Sequence, residues 1–136
     1  MIEIKSVELG LIRNSELKER ATRAQSGRST EYIAFFNNIE VGLLSYENWS
    51  EKSEGFIYEI FILPEYRNNG VGNHFLEFSE CKARDLKCKK IILDPNPFDH
   101  TVTLEFLISW YEKHGYKKDT TGANKMYKEI TLLIDE

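Results

Sequence analysis

The stretch Arg67-Asn68-Asn69-Gly70-Val71-Gly72 has residue types and spacing suited to holding a phosphorylated ligand. Gly70 and Gly72 remove side chains where backbone must bend and come close to a ligand. If a helix opens here, the N–H groups of its first turn have no partner within the helix. They point at a common centre, where the helix dipole adds roughly half a positive charge. Such a turn binds phosphate or pyrophosphate, and Arg67 adds a permanent cation at the rim. A lone R-x-x-G-x-G also closes strand-to-helix turns that bind nothing, so its surroundings must decide. Other phosphate loops fit worse: no G-K-[ST] follows, and no G-x-G-x-x-G with a distal acid is present. The missing lysine argues against phosphoryl transfer. A second candidate is Glu59, the only charge in the run Phe56 to Leu63. A carboxylate buried in such a run is a candidate general base.

The pattern around these residues predicts the elements that position them. Phe56 to Leu63 reads as a central strand covered on both faces, ended by Pro64. Glu65 to Gly72 forms a loop running into a helix. From Val71 the positions Val71, Phe75, Phe78, Ser79, Ala83 and Leu86 recur at helical spacing, with the aliphatic stem of Lys82 snorkelling within the stripe. Upstream, Ile2 to Leu9 suggests a first strand. Asn14-Ser15 offers N-cap oxygens to a polar helix ending near Ser26-Gly27. Tyr32 to Phe36 and Ile39 to Tyr46 are β-rich and separated by Asn37-Asn38, which predicts a hairpin, and Ser50 to Gly55 reads as a polar loop. Downstream, Lys90 to Leu93 is a short buried strand and Asn96 to Val102 a loop. Thr103 to His114 is a second helix on the C-terminal side, closed by Gly115. Tyr116 to Lys118 and Lys125 to Leu133 are two last strands. The order β-α-β-β-β-α-β-α-β-β predicts an α/β domain over residues 1–136, with a mixed central sheet and helices on both faces.

Composition bounds the class. The chain has 136 residues, 41% of them apolar and 29% charged, as expected for one soluble domain. No apolar run approaches the roughly 20 residues of a membrane span, and MIEIKSVELGLI lacks the features of a signal peptide. Cys81 and Cys88 form neither a C-x-x-C pair nor a zinc pattern with the three histidines. They read as reduced structural thiols in a cytoplasmic protein, and no metal is expected. A net charge of −4 argues against nucleic acid and suits a cationic or neutral partner.

Leu63-Pro64-Glu65-Tyr66-Arg67-Asn68-Asn69-Gly70-Val71-Gly72, after a strand and before a helix, resembles the central R/Q-x-x-G-x-G/A motif of the GNAT superfamily of acyltransferases. About forty residues on, Trp110-Tyr111-Glu112-Lys113-His114-Gly115-Tyr116 is similar to that family's second signature, an aromatic-Tyr-Glu-Lys-x-Gly-aromatic run. The resemblance covers roughly Phe56 to Tyr127. Before that only the strand order matches, and one helix stands where two are usual.

The resemblance implies that the fourth and fifth strands splay and that the pantetheine arm of acetyl-CoA fills the gap. The backbone of Ile60, Phe61 and Ile62 would pair with it, one N–H polarising the thioester carbonyl. Pyrophosphate would sit on Arg67, Asn68, Asn69, Gly70, Val71 and Gly72, with Asn73 beside it. Tyr111 occupies the position of the general acid, and a phenol with its ordinary pKa near 10 can donate a proton at neutral pH. Tyr111 also lies on a stripe with Leu104, Leu107 and Ile108 and so reads equally as core. Phe106 and Trp110 read as packing or a subunit contact. Glu59 is the candidate base, with deprotonation through water as the alternative. Asp99 and His100 are within reach of the acceptor. An Asn usual in the family about seven positions before the Tyr is Leu104 here, which leaves Asn96 without an inherited role. The expected activity is N-acetylation of a primary amine on a small molecule or protein by direct attack, in a monomer or homodimer, with no nucleic acid or membrane partner. The alternative is a non-catalytic acyl-CoA-binding module.

Overall fold

The computed structural model describes residues 1–98, 101–120 and 124–131. Its strands are β1 (Ile2–Ser6), β2 (Ser29–Phe36), β3 (Ile39–Trp49), β4 (Glu54–Ile62), β5 (Lys90–Leu93), β6 (Lys117–Lys118) and β7 (Met126–Glu129). Its α-helices are α1 (Ser15–Ala24), α2 (Val71–Asp85) and α3 (Leu104–Lys113), and the chain order is the one expected. The strands form one sheet in the spatial order β1-β2-β3-β4-β5-β7-β6. Only β4 and β5 run parallel, joined by α2 as crossover, and every other neighbouring pair is antiparallel.

Local chemistry explains the boundaries. Asn37 and Asn38 both take positive φ (49° and 69°), the left-handed conformation that a two-residue hairpin turn demands. The Asn14 side chain caps α1 by accepting from Leu17 N at 3.0 Å. Thr103 caps α3 in the same way, accepting from Phe106 N at 3.1 Å. Gly115 (φ 93°) closes α3, where Tyr116 N donates back to Tyr111 O at 3.1 Å. The expected first strand is shorter than read, because residues 9–11 turn into a 3-10 helix. The loop expected at 50–55 holds a 3-10 turn, and β4 already begins at Glu54. The expected last strand reaches beyond the described residues, which end at Thr131.

The two faces of the sheet carry different cores. Leu17 and Ala21 of α1 pack on Ile33, Leu43 and Phe61. On the opposite face Val71, Phe75 and Leu76 of α2, with Tyr111 of α3, pack on Ala34, Leu44 and Ile57. Ile57 and Phe61 lie on different faces although four residues separate them. The cause is a bulge: Ser45 pairs with Glu59 but Tyr46 with Ile57, leaving Tyr58 as the extra residue. Among the described residues no helix is long and apolar enough to cross a membrane, and no cluster of His, Cys, Asp and Glu suits a metal ion.

Tyr46, Tyr111 and Tyr116 are 3%, 4% and 2% exposed. Burial is the main cause that pushes all three phenols well above their ordinary range, and the charge of Glu80 adds to it at Tyr116. The native chain therefore holds these protons more tightly than the unfolded chain, whose phenols titrate near 10. Their contribution to stability is complete below about pH 10 and is lost as pH rises beyond it. Melting temperature measured against pH should fall steeply above about pH 10. Tyr46→Phe should shallow that fall, because Tyr46 Oη is buried with no hydrogen-bond partner among the described residues. An unchanged slope would mean that the Tyr46 hydroxyl is solvated.

Candidate active site

β4 and β5 pair only from Glu54–Lys90 to Ile57–Leu93. Pairing stops where Tyr58 bulges and where Asp94-Pro95 ends β5, so the rest of β4 faces a gap. The register tells which groups face it. Leu63 N donates to Val41 O at 2.9 Å, and Phe61 stands opposite Leu43 in the same frame. Alternation along an antiparallel ladder then turns the backbone of Glu59, Phe61 and Leu63 to β3, and that of Ile60 and Ile62 to the gap. Ile60, Phe61 and Ile62 all line the cleft at this gap, but only Ile60 and Ile62 turn their backbone to it. The Phe61 amide faces β3, and its ring lies under Arg20 at 3.7 Å.

The gap opens into a cleft of about 590 Å³, lined among others by Ile60, Ile62, Asn96, Leu107, Trp110 and Tyr111. At its far end stands the N-terminus of α2. Gly70 (φ 82°) is its N-cap, with no side-chain cap and no acid in the first turn. α1 and α3 have both. The amides of Val71, Gly72 and Asn73 precede the first helical bond, His74 N to Gly70 O at 3.1 Å, and so lack helical partners. Asn68 (φ 68°) bends the loop, and Asn69 Nδ2 braces it on Tyr66 O at 3.2 Å. Arg67, Asn68, Gly70, Val71, Gly72 and Asn73 line the cleft, whereas Asn69 does not. Arg67 does more than stand at the rim. Its Nε donates to Ile62 O at 2.9 Å and its Nη1 to Thr101 Oγ1 at 2.8 Å, which ties β4 to the loop after β5.

Gly72 has a second reason to be glycine. A Cβ there would come within 2.8 Å of the Trp110 ring, so α2 and α3 meet through this position. A side chain at 72 would strike Trp110. Trp110, expected as packing or a subunit contact, thus packs inside the cleft wall, 5.0 Å from the Tyr111 ring and 4.7 Å from His114. Phe106 lines the same cleft and is 61% exposed.

Tyr111 lies in this wall and also touches the Tyr116 ring at 5.6 Å. The stripe and the cleft are therefore not alternatives, since its ring is packed while the residue lines the gap. Burial, and then the negative charge of Glu59, hold its phenol protonated above its ordinary range. Tyr111 packs in the core on the α2 and α3 side of the sheet, and Glu59 meets Arg20 of α1 on the other.

Glu59 is 4% exposed but not a lone charge. Arg20 Nη1 donates to Oε2 at 2.7 Å and Arg23 Nη2 to Oε1 at 2.8 Å. Arg20 also reaches Glu16 Oε2 at 3.2 Å and Phe98 O at 3.4 Å. Phe98 stacks between Arg23, 4.8 Å from its ring, and Tyr58 at 5.5 Å. Reading β4 by itself missed Arg20, Arg23, Tyr58 and Phe98. The one available signal was the spacing Glu16, Arg20, Arg23, a charged face on an otherwise half-buried helix. Asn96 lines the cleft and its Oδ1 accepts from Phe98 N at 3.0 Å. Asp99 and His100 lie outside the described residues.

A family model described as an acetyltransferase (GNAT) domain matches residues 27–118. The chain belongs to the GNAT acetyltransferase family. No curated protein matches it in sequence, but solved structures share the GNAT fold over nearly their whole length. A Klebsiella pneumoniae protein assigned as an acyl-CoA N-acyltransferase is 17% identical, with a TM-score of 0.72 over 96% of this chain and 99% of its own. The Escherichia coli ribosomal-protein-S18-alanine N-acetyltransferase is 16% identical, with a TM-score of 0.68 over 99% and 97%. A GNAT family acetyltransferase of Elizabethkingia anophelis, solved with acetyl-CoA bound, is 17% identical, with a TM-score of 0.65 over 94% and 97%.

In this GNAT protein Gly72→Ala should lower stability by about 1–3 kcal/mol, the usual cost of overpacking a core contact. Trp110→Phe should recover part of that loss in the double variant. Equal denaturation midpoints for Gly72→Ala and wild type would show that the two helices separate freely here.

Proposed function

We propose that residues 1–136 act as an acetyl-CoA-dependent N-acetyltransferase with a primary amine as acceptor. The observation that carries this is the juxtaposition of an uncapped helix N-terminus with an unpaired strand edge along one cleft. Amides of Val71, Gly72 and Asn73 suit a pyrophosphate, and the polar edge of Ile60 and Ile62 suits the amide-bearing pantetheine arm. When bound, acetyl-CoA supplies an acyl thioester whose C–S bond breaks as the amine forms the new C–N bond.

The chain's own groups then divide the work. The Ile60 or Ile62 N–H polarises the thioester carbonyl, fixed in place by the sheet and so needing no reorganisation. Tyr111 gives its phenolic proton to the departing thiolate and is reprotonated from solvent. The amine proton leaves to Glu59 Oε1, directly or through one water, while buried Arg20 keeps Oε2 fixed. Cys81 and Cys88 are unpaired, which supports a reducing, cytoplasmic setting.

Saturating acetyl-CoA should raise the melting temperature, and desulfo-CoA should do the same, because binding to the native state alone stabilises it by mass action. No shift with either would remove the donor assignment. On a verified acceptor, Tyr111→Phe should slow single-turnover acetylation by roughly a hundredfold or more, the lower range of general acid catalysis, with acetyl-CoA binding little changed. A rate within about threefold of wild type would take Tyr111 out of the proton path. A melting shift without transfer to any amine would indicate a binding module instead.

A further inference from the structure

The charges on the α1 side of the gap are held unequally. The Arg20 side chain is 9% exposed and its donors go to Glu59, Glu16 and Phe98 O. The Arg23 side chain is 42% exposed and gives Nη2 alone to Glu59 Oε1. Among the described residues Arg23 has no other hydrogen-bond partner, and its guanidinium rests on the Phe98 ring. One oxygen of Glu59 is locked, and the other is held by a cation that can swing outward.

An acceptor amine arriving as a cation at Oε1 competes with Arg23 for that oxygen. A simple ammonium would exchange one ion pair for another and leave the guanidinium without an anion. An acceptor that also carries a carboxylate satisfies both groups at once. Its ammonium meets Oε1, and its carboxylate meets the freed fork of Arg23, which suits bidentate binding of that anion. One ion pair becomes two and the buried carboxylate of Glu59 is never left unpaired, the condition under which buried charge is tolerated. A polycation gains less, since Glu59 and Glu16 already share Arg20.

We infer that Arg23 and Glu59 select a zwitterionic acceptor, an amine of the amino-acid class bearing its own carboxylate near the nitrogen. The ammonium delivers one proton to Glu59 Oε1, which passes it to solvent. The neutral amine beside the amide of Ile60 gives up its second proton by the same route as the C–N bond forms. The Phe98 and Tyr58 rings form the apolar wall for the rest of the molecule. This rests on the acyltransfer reading and narrows its acceptor.

The test compares free α-amino acids, β-alanine and 4-aminobutyrate with their carboxamides, and with spermidine, as acceptors for the wild-type chain. At least one carboxylate should exceed its carboxamide in kcat/KM by about tenfold to a hundredfold, the range for a hydrogen bond to a charged group. Arg23→Gln should collapse that ratio mainly through KM, and Arg23→Lys should restore part of it. The melting shift with acetyl-CoA should persist in both variants. Carboxamides or spermidine accepted as well as the acids, no acid accepted at all, or a ratio unchanged in Arg23→Gln would each overturn the inference. An absent acetyl-CoA shift in wild type would instead overturn the acyltransfer reading beneath it.

Discussion

The end of β4–β5 pairing at Ile57 and Leu93 is the constraint on which the rest depends. A sheet that continued would satisfy the amides of Ile60 and Ile62 internally and would leave no cleft. Two local features stop it from opposite sides. The Tyr58 bulge bends β4 away and reverses its side-chain alternation. Pro95 lacks the N–H that a further ladder bond would need. The cost of an unpaired strand edge is tolerable only where something polar can cover it. The gap meets that requirement in the proposed function, where the pantetheine arm would cover the edge.

Separation of two strands must be held open as well as begun. On one face α2 and α3 do this by meeting at Gly72 and Trp110, so the glycine turn and the wall bearing Tyr111 are spaced by a tight contact. On the other face Arg20 joins α1, β4 and the carbonyl of Phe98 through hydrogen bonds. At the end of the gap Arg67 joins Ile62 O to Thr101. These braces come from three different segments, and each ends on a group at the edge of the gap. Their shared effect is to place the Tyr111 phenol and the Glu59 carboxyl group on opposite sides of the sheet.

The charge arrangement follows from burial. Glu59 sits at 4% exposure in an apolar strand, where an unpaired carboxylate would be costly. The fold answers with two guanidiniums from one helix, spaced three residues apart so that they share a face. Row by row, the same sheet face also holds Ser45, in register with Glu59, and Glu31, whose Oε2 accepts from Ser45 Oγ at 2.7 Å. The side of the gap away from the cleft therefore carries a polar row, with Glu59 paired to two guanidiniums and Glu31 to the Ser45 hydroxyl.

Element order was legible in the sequence because it rests on local physics. Asn37-Asn38, Pro64, Gly70, Thr103 and Gly115 each constrain their own backbone, and apolar spacing marks which face each helix buries. The glycine turn at the start of α2 and the place of Tyr111 on α3 were legible for the same reason, as motifs contiguous along the chain. What escaped was set by contacts between segments distant in sequence. The Asn69 side chain braces Tyr66, Phe61 gives its amide to β3, and Trp110 packs on Gly72 from 38 positions away. Glu59 looked isolated because its partners, Arg20 and Arg23, lie 39 and 36 residues upstream. A bulge of one residue at Tyr58 decides which side of the sheet each side chain of β4 meets. The pattern of a strand apolar on both faces carries no mark of such a shift, so only the tertiary pairing of β3 with β4 resolves it.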